Sequence, residues 1–190
     1  MNADELKRQY RVADQMLSMY SVLRDRYARR ALWLTLGIFG SSVVLCACTF
    51  LSDNALEVIG ITPMGNKILL GAFSSLVLFL SIAELRVDWK ERSQEYAGAA
   101  EKLSRLKARY RSALAMTDNI SPEMGKELTS QYGTTMEGLP RIPDSKFEAL
   151  KAYHVRKVRI SQMIDSSPGC PVWFLRLRLF FEGCSTKRNS

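Results

Sequence analysis

Two uncharged apolar blocks, separated by a short polar loop, constrain this chain more than anything else in it. The first occupies residues 31–51, ALWLTLGIFGSSVVLCACTFL, without a single Asp, Glu, Lys or Arg. At about 1.5 Å per residue, a helix of that length crosses the ~30 Å hydrocarbon core of a bilayer. The second, ILLGAFSSLVLFLSIA at residues 68–83, is shorter and is bounded by Lys67 and Glu84. Lys67 can snorkel and Glu84 can stand at headgroup level, so residues 67–85 suffice for a span. A core hairpin of a soluble protein or a cleaved signal peptide would also be apolar. A signal peptide, however, places its apolar stretch within about the first 15–30 residues, and here a charged segment comes first. The expectation is an all-α membrane protein built on a two-span helical hairpin.

The loop between the blocks, SDNALEVIGITPMGN, carries Asp53 and Glu57 and no basic residue. Lys7, Arg8, Arg11, Arg24, Arg26, Arg29 and Arg30 precede the first block, and Arg86, Lys90 and Arg92 follow the second. By the positive-inside bias both termini lie in the cytoplasm and the loop outside, in a multi-pass protein of the inner or plasma membrane. Cytosolic thiols are normally kept reduced, so Cys170 and Cys184 need not pair.

The whole-chain averages hide this organisation. With 190 residues, 27 Lys plus Arg against 19 Asp plus Glu and a net charge of +8, they describe an ordinary basic domain. Once the two blocks are set aside, the rest is strongly polar. The four Cys and one His form no cluster of metal-binding spacing. There is no Gly-rich phosphate loop, nucleophile elbow or H-E-x-x-H. No catalytic, cofactor-binding or metal-binding residue is expected, and no enzymatic activity.

Four regions follow: an N-terminal cytoplasmic helix over 1–30, the hairpin over 31–86 with spans of about 31–51 and 67–85, a stalk helix over 87–117, and a C-terminal helical region over 118–190. In the first, Leu6, Tyr10, Ala13, Leu17, Tyr20, Arg24, Tyr27 and Ala31 recur at spacings of four and three, the mark of a helix with one apolar stripe that runs on into the membrane. In the third, Trp89, Tyr96, Leu103 and Tyr110 repeat every seven residues. A companion row of Arg92, Ala99, Leu106 and Ala113 gives a coiled-coil-like seam. Run backward, the register reaches Leu85, Ile82, Leu78, Ser75 and Gly71. One helix of about 45 residues, roughly 70 Å long, is therefore expected to carry both the second span and the stalk. The stalk can pair with other copies or with the N-terminal helix of its own chain.

Small residues punctuate the spans: Gly37 and Ser41, then Gly71 and Ser75, each pair four apart, with Ser42, Ser74 and Ser81 beside them. Small-xxx-small spacing lets membrane helices approach closely. It points to helix packing and a homo-oligomer. In such an assembly Ser74 and Ser81, seven apart on one face, are candidates to line a water-filled path with Glu84 at its cytoplasmic mouth.

Beyond the stalk, Ser121 as cap, Pro122 and Glu123 in the first turn and Gly133 as stop predict a helix over 122–132. After a loop over 134–144, Asp144 caps a second helix on which Phe147, Leu150, His154, Val158 and Ser161 share a face. Lys151, Arg156, Lys157 and Arg159 make that helix basic, and membrane lipid suits it better than nucleic acid, for which no stacking motif is present. His154, among apolar neighbours, reads as a hydrogen-bonded structural residue. The tail VWFLRLRLFF is amphiphilic as strand or helix. It either docks on the membrane interface through Trp173 and Phe174 or tucks against the helices.

Taken in order, YARRALWL, the hairpin with its short outer loop, RVDWKERSQEYAGAAEKLSRLKARYR and IPDSKFEALKAYHVRKVRISQMIDSSPG resemble the SLATT family over nearly the whole chain. These are two-span effector domains of bacterial conflict systems, found beside nucleotide second-messenger synthases, nucleotide-sensing domains or reverse transcriptases. Pro143, Phe147, Leu150, Lys151, His154, Lys157 and Ser161 match as family signature, not as catalytic groups. The resemblance implies a non-enzymatic anti-phage effector of the bacterial inner membrane that perturbs or perforates it when a partner system senses infection. The alternative is a passive two-span anchor or scaffold for a cytoplasmic complex.

Overall fold

A computed structural model of the chain describes residues 3–50, 62–115 and 122–186, and every element among them is a helix. In order these are α1 (Ala3–Phe50), α2 (Pro63–Arg86), α3 (Trp89–Ala115), α4 (Pro122–Glu137), α5 (Asp144–Ser166) and α6 (Val172–Thr186). The chain divides into two compact units, Leu23–Gly98 and the combination of Met1–Val22 with Ala99–Ser190, so that α1 and α3 contribute to both.

The unit Leu23–Gly98 holds the hairpin. Both of its apolar stretches are long enough to cross a membrane, and only 6% and 0% of their most apolar windows are buried. A core hairpin of a soluble domain hides such residues, whereas here Trp33, Phe39, Leu78 and Phe79 stand largely exposed, as side chains that face lipid do. Helix α1 is continuous from the N-terminal charged region into the first apolar stretch, as its stripe predicts, although Arg24 of that stripe is exposed and Leu23 beside it is buried. Helix α2 starts earlier than the apolar block does. Thr62 occupies the cap position and its side chain accepts a hydrogen bond from the Gly65 amide at 3.1 Å, with Pro63 opening the helix. The Thr-Pro pair is thus a start signal, and residues 63–66 belong to the helix instead of the loop. The loop charges Asp53 and Glu57 lie outside the described residues.

The expected single helix through span and stalk is interrupted. Val87 leaves the helical region, with φ −112° and ψ 93°, after its amide closes the last turn of α2 on Ala83 O at 2.9 Å. Asp88 O then accepts the first helical bond of α3, from the Arg92 amide at 3.0 Å. The sequence has a helix-start signal at this point: Asp88 sits where a cap is favourable and Glu91 follows three residues on, the spacing of a capping box. The heptad register runs straight across this signal and conceals it.

The second unit is a helical cluster. Its core comprises Leu6, Ala13, Met19 and Tyr20 of α1, Ala99, Ala100, Leu103, Leu106, Tyr110 and Ala113 of α3, Leu128 of α4, Leu150 of α5 and Leu175 of α6. Burying side chains of this size contributes about 1.5–3 kcal/mol each for the larger ones, which makes packing the dominant stabilising contribution here. Three polar contacts fix the pairing. The Tyr110 hydroxyl donates to Gln9 Oε1 at 2.6 Å, Lys107 Nζ lies 2.6 Å from Asp14 Oδ1, and the Tyr20 hydroxyl donates to Pro140 O at 2.7 Å.

Two helix limits in this unit differ from expectation. Gly133 lies inside α4, which continues to Glu137 before turning at Gly138. A glycine inside a helix costs about 1 kcal/mol, a cost offset by Leu128 and the half-buried Tyr132 and Met136. Asp144 is the first residue of α5, with Pro143 at the cap position and no side-chain cap bond; its carboxylate lies 3.3 Å from Arg141 instead. Ser121 lies outside the described residues. The tail is settled as a helix, α6, and it packs on α5.

Candidate functional site

The candidate site is the hairpin, whose two helices are long and apolar enough to cross a membrane, and what it presents is helix surface. The two small-residue pairs, equivalent in sequence, are placed differently. Gly37 faces α2: a Cβ added there would meet Leu80 Cδ1 at 3.6 Å. Ser41, one turn further, is buried. This pair is consumed in closing the hairpin. Gly71 has nothing within 4 Å of an added Cβ, and Ser75 is exposed with its hydroxyl donating to Gly71 O at 2.9 Å. A hydroxyl turned back on its own helix needs no other partner, so this surface can sit against lipid or a second helix at no polar cost.

The whole backward register follows Gly71. Ser75, Leu78, Ile82 and Leu85 are all exposed, whereas Leu69, Phe73, Val77 and Leu80 are half-buried on the side toward α1. Below the break the same register is turned inward: Tyr96 is buried and stacks on Tyr27 with centroids 5.5 Å apart. Arg30 lies 5.9 Å above the Tyr27 ring, and Ser93 Oγ donates to Arg24 O at 3.2 Å. Burial raises the Tyr96 pKa first, with Tyr27 and Glu95 adding to it and Arg92 opposing.

Ser74 is exposed and Ser81 half-buried, its hydroxyl donating to Val77 O at 2.8 Å. Ser42 likewise donates to Ile38 O. Glu84 is exposed and lines a cleft of about 480 Å³ at the helix break with Leu34, Thr35, Asp88 and Gln94. That cleft does not include Ser74 or Ser81, so the three candidate path residues are not gathered in a single chain.

In the other unit, Leu103, Leu106 and Tyr110 of the seam are buried, with their companions Ala99 and Ala113. Trp89, in the hairpin unit, is half-buried and Arg92 exposed. A basic groove of about 390 Å³ runs between α3 and α4, lined by Lys102, Arg105 and Arg109 opposite Ser130 and Thr134. Arg105 is paired with Glu101, and Arg109 donates to Gln131 Oε1.

The signature residues lie at the start of α5 and along it. Leu150 is fully buried, Pro143 is half-buried, Phe147 is only partly covered, and Lys151, Lys157 and Ser161 are exposed. His154 is half-buried but not hydrogen-bonded as expected: its Nδ1 is buried with no partner among the described residues. The apolar neighbours that suggested a structural role offer the ring no acceptor. Cys46, Cys48 and Cys170 are free thiols, and the side chain of Cys184 lies outside those described. No group of residues that could hold a metal ion occurs among the described residues.

No protein-family model, curated protein or solved structure matches this chain.

Proposed function

We propose that this protein is a membrane-embedded effector of bacterial anti-phage defence, which self-associates through the outward face of α2 and perturbs or perforates the inner membrane when a partner activates it. One observation carries the reading: Gly71, Ser74 and Ser75 of the second span are open on the face turned away from α1, while the equivalent pair on the first span is used inside the hairpin. One hairpin of two helices cannot enclose water, so a lesion requires several copies, and a small-residue face lets helices approach closely enough to assemble. The likeness to SLATT effectors supplies the biological setting and the class of activator, a nucleotide second messenger or a reverse transcriptase. A nucleotide signal would meet Lys102, Arg105 and Arg109 on the groove between α3 and α4. Activation needs different affinities for the resting and assembled states.

Membrane potential tests the reading, measured with a voltage-sensitive dye in bacteria expressing the parent chain or a Gly71→Leu, Ser75→Leu variant at matched membrane levels. Depolarisation by the parent alone supports assembly through this face. Depolarisation by both keeps the effector and removes the face. If neither depolarises cells, even with the partner system supplied and phage added, the protein is a passive anchor.

A further inference from the structure

Over residues 172–179, helix α6 is held to its unit by one side. Leu175 is 3% exposed, Leu179 one turn later is half-buried, and the helix packs on α5. At about 100° per residue, the opposite side is formed by Trp173, Leu177 and Phe174. These are 68%, 50% and 46% exposed, and Trp173 and Phe174 meet edge to face at 6.1 Å. Arg176 falls on one flank of this stripe and Arg178 on the other. A contiguous patch of Trp, Phe and Leu on a solvent face marks a contact surface.

We propose that α6 is a peripheral membrane-contact helix, with Trp173, Phe174 and Leu177 entering the headgroup–acyl boundary of an anionic leaflet and Arg176 and Arg178 engaging lipid phosphates on either side. The inference rests on the reading that the chain is embedded in a membrane. Charge selects the occupant. Between Lys151 and Arg178 stand six basic residues, the others being Arg156, Lys157, Arg159 and Arg176, against Asp165 alone. Each Lys or Arg near an anionic surface is attracted to it, and the arginine stems lie along the apolar boundary while their heads reach the phosphates. A second copy fits less well, because an isologous contact brings like charges of the two stripes together. An acyl interface instead takes the indole with its N–H at headgroup level.

The test uses the full chain carrying Trp33→Phe and Trp89→Phe, which leaves Trp173 as the only tryptophan, reconstituted in phosphatidylcholine vesicles with or without phosphatidylglycerol and containing brominated lipid. Quenching of Trp173 is expected to be at least about threefold stronger with phosphatidylglycerol and to fall in about 0.5 M salt. Arg176→Gln with Arg178→Gln should weaken that dependence at unchanged helicity, leaving the part carried by Lys151, Arg156, Lys157 and Arg159. A companion with Trp33 as the only tryptophan reports on the spans: without its quenching, the membrane reading fails and this inference with it. If Trp33 is quenched while Trp173 is not and remains open to acrylamide, α6 does not touch lipid and the proposal is overturned. Shielding of Trp173 from acrylamide without lipid quenching overturns it equally, in favour of a protein partner.

Discussion

Tyr110 is the side chain on which the pairing of α1, α3 and α4 converges. It is fully buried, donates to Gln9 Oε1, and has Leu128 O at 3.3 Å. Burial, with Tyr132 and Glu5 adding to it, pushes its pKa up to about 12. The sign follows from linkage: an unfolded tyrosine ionises near pH 10, so the unfolded chain loses its proton first. The stabilisation from the neutral buried phenol is complete below pH 10 and is lost as pH rises toward 12. Tyrosinate absorbance should show a late-ionising component that disappears in Tyr110→Phe; a single transition near pH 10 would contradict this environment. The same variant strands the 8%-exposed Gln9 and should cost about 1–2 kcal/mol in denaturant unfolding. Breaking the Asp14–Lys107 pair should cost less, about 0.5–1 kcal/mol by a double-mutant cycle, because both side chains keep 31% of their exposure.

At the scale of elements, the two glycines at matching motif positions should respond in opposite ways. Gly37→Leu forces atoms toward Leu80 and should destabilise the hairpin by about 1–3 kcal/mol, read as lost helix pairing in detergent. Gly71→Leu enters open space, leaves the hairpin intact, and should lower the yield of crosslinked oligomers several-fold. Equal effects at both positions would mean that the two faces are not distinct. The break at Val87 and Asp88 makes a further prediction: Val87→Ala with Asp88→Leu removes the cap signal and favours a continuous helix, slowing amide exchange at Lys90 and Glu91 by about tenfold or more. The sequence made legible two helices apolar enough to cross a membrane, from their uncharged length, and the α1 stripe and the buried rows of α3, because those rest on a periodicity that packing obeys. It hid the interruption because Gly71, Ser75, Leu78, Ile82 and Leu85 share a register with Tyr96 and Leu103, and a register alone does not tell which partner a face has. Nor could it tell that Gly37 is consumed within the chain and Gly71 is not. That difference depends on which side of each span faces the other.

For the whole molecule, the distribution of charge around the hairpin decides what each end can do. Arg24, Arg26, Arg29 and Arg30 precede the first span, Arg86, Lys90 and Arg92 follow the second, and the loop has only Asp53 and Glu57. Short flanking segments rich in Lys and Arg are retained on the cytoplasmic side, and the proposed function takes both flanks of the hairpin to be cytoplasmic on that ground. Cys170, an exposed free thiol between α5 and α6, reports this directly once Cys46, Cys48 and Cys184 are changed to Ala. A membrane-impermeant maleimide should label Cys170 only after the inner membrane is permeabilised. Moving the charge should move the topology: Arg26→Glu, Arg29→Glu and Arg30→Glu combined with Asp53→Lys and Glu57→Lys should render a fraction of the chains labelled in intact cells. Labelling of the parent without permeabilisation would put α6 and the basic groove outside the cell, beyond the reach of any cytoplasmic activator, and the effector reading would lose its trigger together with its topology.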